Sequence, residues 1–201
     1  VAVVSRPRWL VESLGEVDGG ALGSSVVVVV ASEDGQVRLF DGRSGALTAT
    51  VRLAEKPLGR LLAQPQGELV AVTSGALAPV RPLFVVSARD LQPVATLSGE
   101  RGQPVLAVAW SPEGDRLAVA TPGALLLHDA SLSFERTLPL AESVDAGSQA
   151  QVQLAFSPDG QTLAWAPGDA ASVRLWRVAE GTPMVVASLP APASDLAFDR
   201  D

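Results

Sequence analysis

Trp110-Ser111-Pro112-Glu113-Gly114 and Phe156-Ser157-Pro158-Asp159-Gly160 are two copies of one device. Each closes an apolar run on an aromatic residue and then turns through Ser, Pro, an acid and Gly. Ala63-Gln64-Pro65-Gln66-Gly67 lies upstream in the same frame, and Phe198-Asp199-Arg200-Asp201 begins it once more. The spacing of roughly 42 to 47 residues is close to that of a repeat built from four short antiparallel strands.

Within each period apolar and polar residues alternate, as half-buried strands require, and the breaks are Pro, Gly, Asp and Ser. One unit is expected to place strands at Leu106–Trp110, Arg116–Ala120, Ala124–Asp129 and Phe134–Leu138. The next repeats them at Val152–Phe156, Thr162–Ala166, Val173–Arg177 and Met184–Leu189. The first unit reads as Val26–Ala31, Gln36–Asp41 and Ala46–Leu53, with a weakly marked innermost strand near Trp9–Leu14. The five valines Val26 to Val30 read as a strand buried on both faces. No long stretch has the 3.6-residue period of a helix.

Aligned at the end of the third strand, the units give Phe40-Asp41, Ser87-Ala88, His128-Asp129 and Trp176-Arg177. This pattern, with the Ser-Pro-acid-Gly turns, resembles the WD-repeat family of β-propellers, whose third strand ends in Trp-Asp. No unit keeps the whole dipeptide, and the Gly-His pair that precedes a blade in that family is absent. The family's Asp-His-Ser-Trp network is therefore not carried over. The Asp34-Gly35 turn and Asp41-Gly42-Arg43-Ser44-Gly45 are equally similar to quinoprotein-type propellers. The resemblance implies an all-β fold of four-stranded antiparallel blades at about 9–55, 56–99, 100–140 and 141–190, with a further blade starting at 191–201, within a single propeller segment of residues 1–201. The chain begins at Val1 without an initiator and stops inside a turn. A lone strand cannot satisfy its own ladder, so the expectation is a piece of a larger propeller of about seven blades.

The catalytic candidates are few. His128 is the sole histidine, and it falls where the resemblance puts a packing Trp. A serine triad, a histidine base or a zinc site would all have to share it, and there is no cysteine. Glu33-Asp34-Gly35, Glu113-Gly114 and Asp159-Gly160 are the ordinary chemistry of tight hairpins, since a calcium loop needs oxygen ligands at alternate positions over about a dozen residues. Asp18-Gly19-Gly20 reads the same way. Trp110, Trp165 and Trp176 suit the space between blades better than a cofactor stack. The glycines sit singly in turns and make no phosphate cradle. No catalytic, cofactor or metal site is assigned.

Composition narrows the partners. Hydrophobic residues make up 47% of the 201 residues and the formal net charge is -7, with Lys56 the sole lysine. An acidic chain without a basic stripe lacks the footprint of a nucleic-acid binder, and without a polybasic run it lacks an anionic-lipid anchor. The longest purely apolar run, Val26–Ala31, is far shorter than the roughly 20 residues of a membrane-spanning helix. The compartment stays open, and the Arg, Ala and Val bias suggests a bacterial source.

These readings favour a non-catalytic propeller that serves as a platform for a protein partner. The rivals are a quinoprotein-like enzyme with its catalytic residues elsewhere, and a sensor propeller attached to a kinase or NTPase. Alternating strands put the second-to-third loops and the links between blades on one face and the remaining hairpins on the other. Thr73–Pro82 and Glu142–Ala150 look like insertions on the first of these faces, so Arg81, Arg101, Glu142 and Asp145 are the expected partner-binding rim.

Overall fold

The computed structural model describes residues 9–13, 27–75, 81–140, 152–168, 171–193 and 196–199. These form four antiparallel sheets of four strands, each strand paired with the next in sequence. The first sheet holds β1 (Trp9–Ser13), β2 (Val27–Ser32), β3 (Gln36–Asp41) and β4 (Leu47–Arg52), and the second β5 (Leu58–Ala63), β6 (Leu69–Ser74), β7 (Leu83–Ser87) and β8 (Pro93–Leu97). The third is β9 (Ala107–Trp110), β10 (Arg116–Ala120), β11 (Ala124–Asp129) and β12 (Phe134–Pro139). The fourth is β13 (Gln153–Phe156), β14 (Thr162–Ala166), β15 (Ser172–Arg177) and β16 (Thr182–Ser188). The expected bounds of β3, β10, β11 and β14 are met to the residue, and the other expected strands differ by one or two residues at their ends. Thr73 and Ser74 are ladder residues of β6 and not part of an insertion, because they continue the pairing to Leu83 and Leu58.

The chain divides into two compact units, Val1–Leu97 and Ser98–Asp201. In the first, Val29 and Ala31 of β2 and Val37 and Leu39 of β3 meet Leu61, Val70 and Val72 of the second sheet in one core. The period-two alternation makes this possible, since residues i and i+2 of a strand share a face. Val29 and Val30 are buried and Val27 and Val28 only half so, so the valine run is sealed on both faces in its second half alone. In the second unit Ala118, Ala120, Leu125 and Leu127 face Leu163, Trp165 and Trp176. Trp165 and Trp176 stand edge to face with centroids 6.2 Å apart, a geometry that adds about 0.5–1.5 kcal/mol to their burial.

The hairpin between third and fourth strands is the most repetitive part of the structure. All four blades carry a bulge there, at Leu39/Phe40, Val85/Val86, Leu127/His128 and Leu175/Trp176. All four then turn through a left-handed residue, Gly45, Leu91, Leu132 or Gly181. A leucine in that conformation is strained by about 1–2 kcal/mol, and burial of the Leu91 side chain, 1% exposed, offsets the strain. The bulges also correct the alignment of the second blade. Val86-Ser87, not Ser87-Ala88, is the counterpart of Phe40-Asp41, because Leu91 N donates to the Ser87 carbonyl as Gly45 N does to that of Asp41.

The Asp of the terminal dipeptide has a visible task. Asp41 Oδ1 accepts from the amides of Arg43 and Ser44 and from the Ser44 hydroxyl, and Asp129 Oδ1 accepts from Ser131 N, Ser131 Oγ and Ser133 N. Where the Asp is missing, other groups take over. In the second blade Arg89 N donates to Ser87 Oγ and Gln92 N to Asp90 Oδ1; in the fourth, Arg177 pairs with Glu180 across the turn at 3.1 Å.

Ser32-Glu33-Asp34-Gly35-Gln36 and Ser157-Pro158-Asp159-Gly160-Gln161 are the same turn used at two different corners. In each the serine hydroxyl donates to the aspartate, the amide two residues beyond the aspartate donates back to it, and the glycine amide closes on the serine carbonyl. One copy joins the second and third strands of the first blade, the other the first and second strands of the fourth. Both glycines have positive φ, +76° at Gly35 and +67° at Gly160.

Their surroundings differ. A β-carbon at Gly35 would lie 1.9 Å from the Ala54 carbonyl oxygen, whereas one at Gly160 meets nothing closer than Pro112 Cδ at 3.7 Å. Gly160→Ala is therefore expected to cost about 1 kcal/mol, the conformational strain alone. Gly35→Ala should cost at least about twice that, because backbone must move. Urea unfolding followed by Trp fluorescence measures both, and equal losses would contradict the packing.

Hydrogen bonds set the acid response. Asp129 lies below the usual carboxylate value of 3.8 chiefly because the Ser131 hydroxyl donates to it, Asp41 because the Ser44 amide does, and Asp159 because the Ser157 hydroxyl does. A depressed folded-state value means that the ionised form is the stabilising one, so this contribution is complete above the unfolded value near 3.8 and fades as the pH falls through the lower folded values. The urea midpoint is expected to stay level from pH 7 to about 5 and to fall below about pH 4. Asp129→Asn should flatten the fall, and an unchanged acid profile in that variant would contradict the cap.

Candidate functional site

Two of the four expected rim residues, Arg81 and Arg101, are among the described ones. Arg81 is half-buried two residues before β7, in the first compact unit. Arg101 belongs to a single 3-10 turn, Glu100–Gly102, in the second unit. Glu142 and Asp145 lie outside the described residues, as do the whole Glu142–Ala150 segment and the stretch 76–80 of the other expected insertion.

A concave site is present on the opposite, hairpin face, inside the second unit. It is a cleft of about 260 Å³ between the third and fourth blades. Three hairpins build it: Ser111–Arg116 between β9 and β10, Asp159–Gln161 between β13 and β14, and Val178-Ala179 between β15 and β16, with Glu135 and Arg136 of β12 along one side. The turn serines fix the first two. Ser111 Oγ donates to Asp115 Oδ1 at 2.6 Å and accepts from Arg116 N at 2.9 Å, and Ser157 Oγ accepts from Thr162 N at 2.9 Å.

The charged side chains are held in defined pairs. Arg116 reaches Asp115 Oδ2 through Nη1 at 3.0 Å and Glu135 Oε2 through Nε at 3.2 Å. Arg136 crosses from the third blade to the fourth, where its Nη1 donates to the carbonyls of Ala179 at 2.6 Å and Val178 at 3.4 Å. Asp159 spends Oδ1 on its own turn. Glu113 is exposed and has no hydrogen bond or ion pair with the described residues. The exposed ion pairs are worth about 0–1 kcal/mol each, so they orient more than they stabilise.

The other candidates are structural in their surroundings. His128 is buried, 7% exposed, with Nδ1 3.2 Å from the Leu132 carbonyl and its ring edge-on to Phe134 at 6.0 Å. That places it across the bulge, holding the left-handed Leu132 turn. Trp165 and Trp176 are sealed within the core, and Trp110 closes β9 beside the Ser111 turn. Asp34-Gly35 and Asp159-Gly160 are hairpins whose carboxylates accept from their own backbone; Glu113-Gly114 is a hairpin of the same kind tied by Asp115 instead, and Asp18-Gly19-Gly20 lies outside the described residues. Among the described residues no three His, Cys, Asp or Glu side chains are grouped to hold a metal ion, and no helix is long and apolar enough to cross a membrane. The cleft residues were missed in the sequence because the two Ser-Pro-acid-Gly turns were assigned a turn role only. The usable signal was the pair Glu135-Arg136, charges on an outermost strand one unit upstream of the second such turn.

Residues 91–129 match the family described as "WD domain, G-beta repeat". A search of curated proteins finds no match to the sequence. Among solved structures, 1089 chains match, so the likeness speaks for an architecture and not for one activity. One is the dihydro-heme d1 dehydrogenase NirN in complex with DHE, with a TM-score of 0.67 and 23% identity over 89% of this chain. The chain spans 37% of that protein's chain, and at this identity the likeness is one of fold. With four sheets of four antiparallel strands and a propeller as structural neighbour, the described residues have the fold of a run of β-propeller blades, one stretch of which, 91–129, matches the WD repeat.

Proposed function

We propose that these blades form a non-catalytic platform for a protein partner, and that the partner sits on the hairpin face of the third and fourth blades. The observation that carries this reading is the cleft itself. At about 260 Å³ it falls below the roughly 300–1,000 Å³ of sites that engulf small ligands. Its walls are paired charges on short, tied hairpins, the polar kind of surface that rims protein contacts. The hairpin face is preferred to the expected second-to-third-loop face because its lining residues lie together within one compact unit.

A second reading draws on the likeness in fold to a dihydro-heme d1 dehydrogenase: an enzyme propeller whose reacting groups lie outside these residues. A haem titration of the full-length protein, read at the Soret band, separates the two.

The platform is tested by placing the photo-crosslinker p-benzoylphenylalanine at Gln161, which lines the cleft, and at the exposed Thr50 of β4 as a control. Irradiation in native extract is expected to give discrete protein adducts at Gln161 and none at Thr50. Equal labelling at both positions, or no adduct at Gln161, would refute the platform on this face.

A further inference from the structure

We infer that Asp41-Gly42 is a site of spontaneous backbone modification, where aspartate converts to isoaspartate in the folded protein, while Asp34-Gly35 and Asp159-Gly160, the same dipeptide in two other turns, are protected. The reaction begins when the glycine amide nitrogen attacks Cγ of the aspartic acid. A C–N bond forms, the nitrogen gives up its proton, and the carboxyl OH takes that proton and leaves as water. The product is a five-membered succinimide. Water then adds back to the ring, and opening at the original backbone carbonyl leaves the chain running through Cβ with a new α-carboxylate and no net change in composition. The step asks for a nitrogen free to approach, one oxygen stabilised as an oxyanion and a second oxygen free to leave.

Asp41-Gly42 supplies all three. Asp41 ends β3, and Gly42, Arg43 and Ser44 beyond it are exposed. The Gly42 amide makes no hydrogen bond with the described residues, and glycine has no β-carbon to crowd the attack. Asp41 Oδ1 accepts from Arg43 N at 3.1 Å, Ser44 N at 2.6 Å and Ser44 Oγ at 2.7 Å. Donors that hold the carboxylate in its cap also face the oxygen on which negative charge develops as nitrogen attacks, the arrangement of an oxyanion hole. Oδ2 takes part in none of these bonds and is left to carry the proton with which it departs.

At the other two corners the same atoms are tied. Gly35 N donates to the Ser32 carbonyl at 3.1 Å and Gly160 N to the Ser157 carbonyl at 2.9 Å, so either nitrogen must break the bond that closes its turn before it can attack. Both serines are buried, and opening these turns disturbs the blade. At Asp34 the second oxygen is also held, by Arg38 Nη2.

The test incubates the full-length protein for weeks at about pH 6, where the fold is intact, beside a sample held in urea above its unfolding transition. Isoaspartate is located by electron-transfer fragmentation of proteolytic peptides, which separates isomers of equal mass; trypsin releases Asp41 within Leu39-Phe40-Asp41-Gly42-Arg43. In urea the three sites are expected to react alike. In the folded protein Asp41 should keep at least about a third of its unfolded rate, and Asp34 and Asp159 should fall at least about tenfold below theirs. Gly42→Ala should slow conversion at Asp41 at least about fivefold and leave the urea midpoint in place. Isoaspartate at Asp41 no faster than at Asp34 or Asp159 in the folded protein, or an unchanged rate in Gly42→Ala, overturns the inference.

Discussion

A β-sheet apolar on both faces cannot stand alone in water, and the rest of this structure depends on that constraint. In the middle strands consecutive residues point to opposite faces, yet Leu117, Ala118, Val119 and Ala120 are all buried, as are Leu125 and Leu127. Each sheet must therefore be covered on both sides. Within each compact unit one of those coverings is the neighbouring blade, and a full side chain such as Leu163 or Trp165 contributes about 1.5–3 kcal/mol by leaving water. The outermost strands face the opposite situation. Their residues are largely exposed, as the pattern of Phe134–Pro139 shows, and they are free to carry charge.

This division explains what could be read in the sequence. The blades were legible because alternation, Gly and Pro punctuation and the repeat all speak about backbone geometry, and β10, β11 and β14 begin and end where the pattern places them. Equivalent residues in the second blade were legible only to within one position. Ser87 replaces the expected Asp, and the bulge at Val85/Val86 shifts the count in a way no single residue announces. The site was the least legible part. A cleft is made by residues from three hairpins and an outer strand, distant in sequence, and loop length, the signal used to choose a face, measures tolerance to insertion more than concavity. Glu113 and Asp159 were seen, but only as turn residues, because the cleft exists only where hairpins of two blades meet.

The turns that made the fold recognisable also make the site rigid. Ser111 and Ser157 are buried hydroxyls that bind both an acid of their own turn and the amide that starts the next strand. Such a group fixes the direction in which the acidic residue leaves the hairpin. A partner then loses little freedom of the receptor on binding, which is the advantage of a surface organised before contact.

The same corner in the first unit is built from other residues. Glu68 of the second blade corresponds to Gln161 of the fourth, since each is followed by the first residue of the second strand. Ala88 N donates to the Glu68 carbonyl as Val178 N does to that of Gln161. Arg89 then corresponds to Ala179, and it is ion-paired with Glu68. On the upstream blade Ala49, paired with Leu39 before the bulge, corresponds to Arg136, paired with Leu127. The first unit thus has an ion-paired couple inside one blade at this corner and alanine at the equivalent position of the upstream outer strand. The second does the reverse: short or neutral residues leave the corner open, and the long cation comes from across the gap to bind backbone. Three positions differ between the two corners; two lie in the hairpins, and the third, Ala49 against Arg136, lies in an outermost strand.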